Sequence, residues 1–433
     1  MNRSKLVSLG ALIAVCSTTL LSACASNNNS AASPSANAGA SEERVTLSFY
    51  DWTDEQPYME EVVSGFEAKY PNIKINENYV PSTDYGQKIL VNLSTGEEMD
   101  VFTISSFSGL AEYSSKQMLE PLDDVAASTD LSGISDIVNT MKDGDHIYGL
   151  PYRTSKWVLY YNKDLFDKAG IDYPDGSWTW DKYAEAAKQL TSGSGQSKIY
   201  GSLSYPADNT WWRVLANIEG ATNPLNPNEL ETFKKSLSYY YDLTKSGAQQ
   251  PFGELVGTAG ADYTGRFLQG NVGMQWNGDW EVQMLNDAIK DKGVKLNYDI
   301  APLPHWEGSE TTTPGALTAV MVSKQSKHKD AAKKFAEYLA SEEAAKIISA
   351  RGLLTPWTTD AVKEAFTSNL TAPENSSLFS EPIKVVPQVP LDPQYNQGIN
   401  IVKEETSLYL LDKQSLDETF TKIQDRIKKE ITP

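Results

Sequence analysis

Two residue types that build chemistry are nearly missing. Cysteine occurs twice and histidine three times in 433 residues. Both cysteines, Cys16 and Cys24, stand near the start, so the rest of the chain can form no disulfide. His146, His305 and His328 lie far apart, without the spacing of a metal site. No metal and no cofactor is therefore expected. Neither a Gly-x-Ser-x-Gly elbow nor a phosphate-cradling Gly-rich loop occurs. Beyond the first two dozen residues no apolar run approaches the length of a membrane helix. Positive charge is scarce as well: 38 Lys and Arg face 57 Asp and Glu, a formal net charge of −19. That balance argues against nucleic acid and polyphosphate partners. It does not argue for cations, because the acids are dispersed over helix faces. No internal repeat is visible, which excludes solenoids and propellers.

The N-terminus reads as an export segment. Arg3 and Lys5 precede the apolar stretch Leu6 to Val15. It ends in Leu21-Ser22-Ala23-Cys24, small residues before a cysteine, which resembles the site where a thiol is joined to a lipid. Residues 1–23 are expected to be a lipoprotein signal peptide, and residues 24–40, small and polar, a flexible tether lipidated at Cys24. No Asp follows Cys24, so the expected location is the outer face of the cell membrane of a Gram-positive cell. The remaining chain is long enough for two domains that share a cleft.

Val45 to Tyr50 alternates and predicts a strand. Met59, Val62, Val63, Phe66 and Tyr70 recur at helical spacing and predict a core-facing helix. Ile73 to Tyr79 predicts a second strand, and Met99 to Phe102 starts a third. Strand-helix-strand order with short loops predicts parallel pairing and a right-handed crossover. In open sheets of this kind ligands bind beyond the carboxyl ends of the strands. That places Trp52, Asp54 and Glu55, and the segment Thr103 to Phe107 with Ser106, on a cleft edge.

Gly149-Leu-Pro-Tyr-Arg-Thr-Ser-Lys-Trp-Val-Leu-Tyr-Tyr-Asn-Lys-Asp-Leu-Phe166 is expected to form a turn, a buried strand and a helix start. Asn162 and Asp164 offer caps. The segment resembles the signature of the family 1 extracellular solute-binding proteins of ABC importers: a Gly-x-Pro turn, an apolar strand, then Tyr161-Asn162-Lys163 and the apolar pair Leu165-Phe166. Trp178-Thr-Trp-Asp181 also resembles that family, with its tryptophans packing a helix start. So does Arg266 to Trp280, where Phe267, Gly270, Met274, Gly278 and Trp280 match Phe-x-x-Gly, an apolar strand and Gly-x-Trp. Ala301-Pro-Leu-Pro304 and Gly352-Leu-Leu-Thr-Pro356 resemble the second and third crossings between its lobes.

The resemblance implies an α/β fold: a two-lobed periplasmic-binding-protein-like clamp, each lobe a mostly parallel sheet flanked by helices, the lobes joined by several crossovers. The expected lobes are residues 41–150 with 300–352, and 151–299 with 353–433. It implies no catalysis. The function it implies is capture of a carbohydrate, an oligosaccharide, for an ABC permease by a monomeric clamp. It implies that Trp280 stacks on a sugar ring, and it places an aromatic such as Tyr395 near the ligand. Ten tryptophans and twenty-two tyrosines suit sugar rings, whose faces are apolar and whose rims carry hydroxyls. Further candidate platforms are Trp211, Trp212, Trp276 and Trp306. Candidate hydroxyl partners are Asp208, Asn209, Asn277 and Asp279, beside Asp54 and Glu55. A secreted glycoside hydrolase and a glycan-binding surface adhesin are the alternatives.

Overall fold

Period-2 alternation builds two separate sheets. In the computed structural model, which describes residues 44–204, 211–256, 263–368, 370 and 372–431, nine strands make them. They are β1 (Val45–Trp52), β2 (Ile73–Val80), β3 (Val101–Ile104), β4 (Gly149–Thr154), β5 (Trp157–Asn162), β6 (Tyr200–Leu203), β7 (Val272–Gly278), β8 (Tyr298–Ala301) and β9 (Leu317–Val322). The first lobe has the order β2-β1-β3-β9-β4 and the second the order β8-β5-β7-β6.

Strand direction is mostly shared, as expected, with one strand inverted in each sheet. β9 runs against β3 and β4, and β5 runs against β8 and β7. The inversion has a topological cause. A chain that enters a lobe from the cleft must run away from the cleft, opposite to strands that end there. β5 follows β4 after only two residues, and β9 returns from the second lobe.

Gly149 to Pro151, expected as a turn, is instead the first half of β4. β4 lies at the sheet edge and pairs only with β9, so the missing N–H of Pro151 disrupts no second ladder.

Helix faces match the spacing. Helix α1 (Gln56–Lys69) buries Tyr58, Met59, Val62, Val63 and Phe66. They meet Leu47, Phe49, Val101, Val320 and Phe335 in one core. The other side of the same sheet carries Tyr50, Phe102, Ile104 and Met321 under Tyr85, Leu110 and Tyr113. In the second lobe Trp157, Leu159 and Tyr161 face one core, and Val158 and Tyr160 the other. The expected cap at Asn162 forms: its side chain accepts from Leu165 N–H at 3.1 Å. Three further helices matter below: α2 (Phe107–Ser115), α3 (Trp280–Lys292) and α4 (Tyr395–Leu410). Glu43–Pro433 is one compact unit.

Candidate functional site

The site forms where strands end. Trp52 closes β1, Ser82 follows β2, Ser105 follows β3, Arg153 lies near the end of β4 and Thr318 near the start of β9. From the second lobe Trp280 follows β7, with Gln283 and Met284 one turn along α3. All of these line one cavity of about 340 Å³. A shallower depression near Val45, Asn72 and His328 lies at the opposite, amino-terminal edge of the first sheet.

One tryptophan from each lobe lines the cavity. Trp52 is half-buried, its ring 4.6 Å from that of Tyr85. Trp280 is half-buried and meets Trp157 edge-on at 5.5 Å, touching cores of both lobes. Gly278 makes this position possible, because a Cβ there would fall 1.9 Å from the Trp280 ring. The glycine of the Gly-x-Trp pattern is thus a seat for the indole.

Charge concentrates on the first-lobe wall. Asp54 is exposed and accepts from Ser82 Oγ at 2.6 Å. Glu55 is buried, accepts from Tyr152 Oη at 3.0 Å and pairs with the Arg153 guanidinium. Burial pushes the Glu55 carboxyl up, and Arg153 pulls it back. Behind them Asp51 is fully buried, accepts from Thr103 Oγ1 at 2.7 Å and is pushed well up by burial. Desolvation works against the Arg153 charge, but Glu55 and Asp279 more than offset it.

Asp279 sits at the crossings. It is fully buried and accepts from the N–H of Lys156 at 3.3 Å and of Leu354 at 3.1 Å. Its pKa is pushed up to about 6 by burial, with Arg153 opposing. Ser155 N–H donates to Ala316 O at 3.0 Å, and Thr154 N–H to Leu354 O at 3.0 Å. The three passages between lobes are therefore laced together, and one carboxylate binds two of them.

The structure brings some expected site residues together and removes others. Trp52, Asp54, Glu55 and Trp280 line the cavity. Ser106 does not; it caps α2, accepting from Gly109 N–H at 3.3 Å, next to cavity-lining Ser105. Trp276 is core, wedged between Trp180 and Tyr183 at 5.5 Å each. It shares strand parity with buried Met274, so it faces the same way. Trp212 is also core, edge-on to Phe233. Trp306 donates to Leu215 O at 3.1 Å and lies under Lys235, away from the cavity. Asn277 is buried and donates to Glu281 at 2.9 Å. Asp279 braces the crossings instead of lining the cavity. Tyr395 is buried and accepts from Arg213. Cys24, Asp208 and Asn209 lie outside the described residues, as does the side-chain setting of Trp211.

Ser105, within the segment Thr103 to Phe107 that the sequence placed on the cleft edge, lines the cavity; Ser82, Arg153, Gln283 and Gln388 were missed. The rule about strand ends could have found Ser82 and Arg153. Gln388 comes from the proline-rich stretch and carries no local signal.

A family model described as "Bacterial extracellular solute-binding protein" matches residues 51–346. A protein of Brucella abortus named as a binding protein is 29% identical over 345 residues, covering 77% of this chain and 80% of its own. The arabinooligosaccharide-binding protein of Bacillus subtilis is 27% identical over 312 residues, 70% of each. Among solved structures, a sugar transporter from Rhizobium etli in an open conformation has a TM-score of 0.72 at 26% identity, covering 88% of this chain and 99% of that one. An ABC substrate-binding protein of Listeria monocytogenes with cycloalternan has a TM-score of 0.77 at 23% identity, covering 89% and 99%.

Proposed function

Because the chain belongs to the bacterial extracellular solute-binding protein family, we propose that its interlobe cavity takes a neutral oligosaccharide and that the closed clamp delivers it to an ABC permease. The observation that carries this reading is the cavity wall. One tryptophan from each lobe offers an apolar face, and Asp54, Ser82, Ser105 and Gln283 offer hydroxyl partners. At about 340 Å³ the cavity is small for a binding site, so it suits one or two rings, with further units outside. The Glu55–Arg153 pair is already matched, which leaves the exposed Asp54 carboxylate to disfavour acidic sugars. The bacterial relative named for arabino-oligosaccharides makes that class the first to test.

Trp52, Asp54, Glu55 and Trp280 are the ligand residues in this reading. The hinge runs through Ser155-Lys156, Ala316 and Leu353-Leu354, joining a first lobe built on β1 to β4 and β9 to a second built on β5 to β8. Binding favours closure because only the closed form brings both walls onto the sugar. The protein acts outside the cytoplasm, and Cys24 with its tether is read as its lipid anchor. The residue after Cys24 is Ala25 and not the Asp that would retain a lipoprotein at an inner membrane, so a binding protein that must stay beside its permease fits a single-membrane envelope.

Thermal shift of the chain from residue 41 onward, against mono- and oligosaccharides including arabino-oligosaccharides, tests the proposal. A sugar at 100 times its Kd should add about 2.7 kcal/mol. Trp280→Ala should weaken that sugar's binding about tenfold or more, consistent with lost stacking of ~1.5 kcal/mol. Recovery of shortened sugar would speak for a hydrolase. A flat response to every sugar would overturn the carbohydrate reading.

A further inference from the structure

An amide side chain links the two lobes. Asn396, in the first turn of α4, belongs to the second lobe. Its Oδ1 accepts from Ser108 Oγ at 2.8 Å, and its Nδ2 donates to Glu112 Oε2 at 2.8 Å. Ser108 and Glu112 are four residues apart on α2 of the first lobe, so a single side chain grips one helical turn. The grip is sheltered: Ser108 is buried and the Glu112 side chain is 14% exposed. The other Glu112 oxygen accepts from Lys116 Nζ at 2.7 Å, which fixes the carboxylate in place.

The base of Asn396 is equally well fixed, but to the other lobe. Its neighbour Tyr395 accepts from Arg213, whose guanidinium lies 5.7 Å from the phenol ring. Asn223 Nδ2 donates to Asp392 Oδ2 at 3.0 Å. Pro387, Pro390 and Pro393 stiffen the stretch that leads from cavity-lining Gln388 to this point. Asn396 is therefore a peg of the second lobe seated in a turn of the first.

We infer that Asn396 is a positioning residue that favours the arrangement in which the lobes are drawn together. Its functional consequence rests on the clamp reading above. Apparent affinity equals intrinsic affinity reduced by the fraction of molecules already competent to bind. A peg that favours the near-closed form raises that fraction. Ser105, just before α2, and Gln388, on the stretch that leads to α4, both line the cavity.

The test needs no sugar. From residue 41 onward the chain has no cysteine, so Ser115→Cys and Asn400→Cys provide a clean pair of spin-label sites on α2 and α4. Pulsed dipolar distances in the ligand-free protein should show a dominant short population. Asn396→Ala should shift the short-to-long ratio about tenfold toward long, with far-UV circular dichroism unchanged. Ser108→Ala, which keeps the Glu112 bond, should give a smaller shift in the same direction. Asn396→Asp sets a carboxylate against Glu112 and should open the clamp as alanine does. Adding Glu112→Gln to Asn396→Asp restores a donor–acceptor match and should bring the short population back. Unchanged distances in Asn396→Ala, or an Asn396→Asp variant that stays closed, would overturn the inference. Since the readout is ligand-free, its failure would leave the carbohydrate reading standing, and the converse holds too.

Discussion

Asp279 shows how much one side chain can be asked to do. It is fully buried, yet it must accept from two backbone N–H groups on two interlobe passages. Burial raises its pKa from 3.8 to about 6. The native state therefore keeps a proton over a pH range where the unfolded chain has lost it. The stability tied to that proton is complete below pH 3.8 and is lost as pH rises through about 6. The difference is worth roughly 3 kcal/mol. In urea denaturation the gap between the parent and Asp279→Asn should accordingly narrow or reverse toward acid-neutral pH, moving by 2–3 kcal/mol, roughly, between pH 3.5 and 7. A gap independent of pH would show that Asp279 titrates normally. Trp280 makes a second point at this scale. Sequence alone matched it to a pattern, but the reason for the pattern is steric, since Gly278 vacates the volume the indole fills.

Elements were legible where one periodicity governed them. The apolar spacing in α1, the cap at Asn162 and the alternation of β1 all appear as read. They are local, so a short window holds the information. β4 was misread because Gly149 and Pro151 are turn formers locally, whereas an edge position beside β9 makes them acceptable in a strand. Contacts between elements impose demands that no window shows. An added Cβ at Gly201, in β6, would lie 1.8 Å from Ala187 O on the helix Trp180–Leu190. Gly201→Ala must push that helix off its sheet, so it should cost at least ~2–3 kcal/mol. The check is a lowered denaturation midpoint at unchanged slope; a midpoint equal to the parent's would mean the helix can shift freely.

On the scale of the whole molecule the design is two sheets whose strand ends converge on one cavity, with three laced passages as a hinge. Closure should be visible as a change of shape. Adding the sugar that stabilises the protein most should reduce the radius of gyration in small-angle scattering, while an inert sugar should leave it unchanged. If the best-bound ligand caused no compaction even in Asn396→Ala, the cavity would work as a fixed pocket and the clamp mechanism would fail. By the inference drawn for Asn396, its bonds to Ser108 and Glu112 limit the size of that change.

The sequence by itself determined the class of this protein through two motif segments, whose resemblance to a known family implies a two-lobed α/β clamp; its scarcity of cysteine and histidine and its acidic balance only argued against alternatives. It also determined which helix faces are core, because burial follows local periodicity. Only the tertiary structure decided which aromatics border the cavity. Trp276 and Trp280 stand four residues apart in one motif, yet one is enclosed by Trp180 and Tyr183 and the other reaches the space between lobes. The physical reason is that Trp276 lies within β7, on the face that packs against Trp180 and Tyr183, whereas Trp280 lies past the end of that strand, at the start of α3. The meeting of Arg153 with Glu55, and of Asn396 with Ser108 and Glu112, joins residues far apart in the chain. Such pairs exist only once the distant elements that carry them have packed.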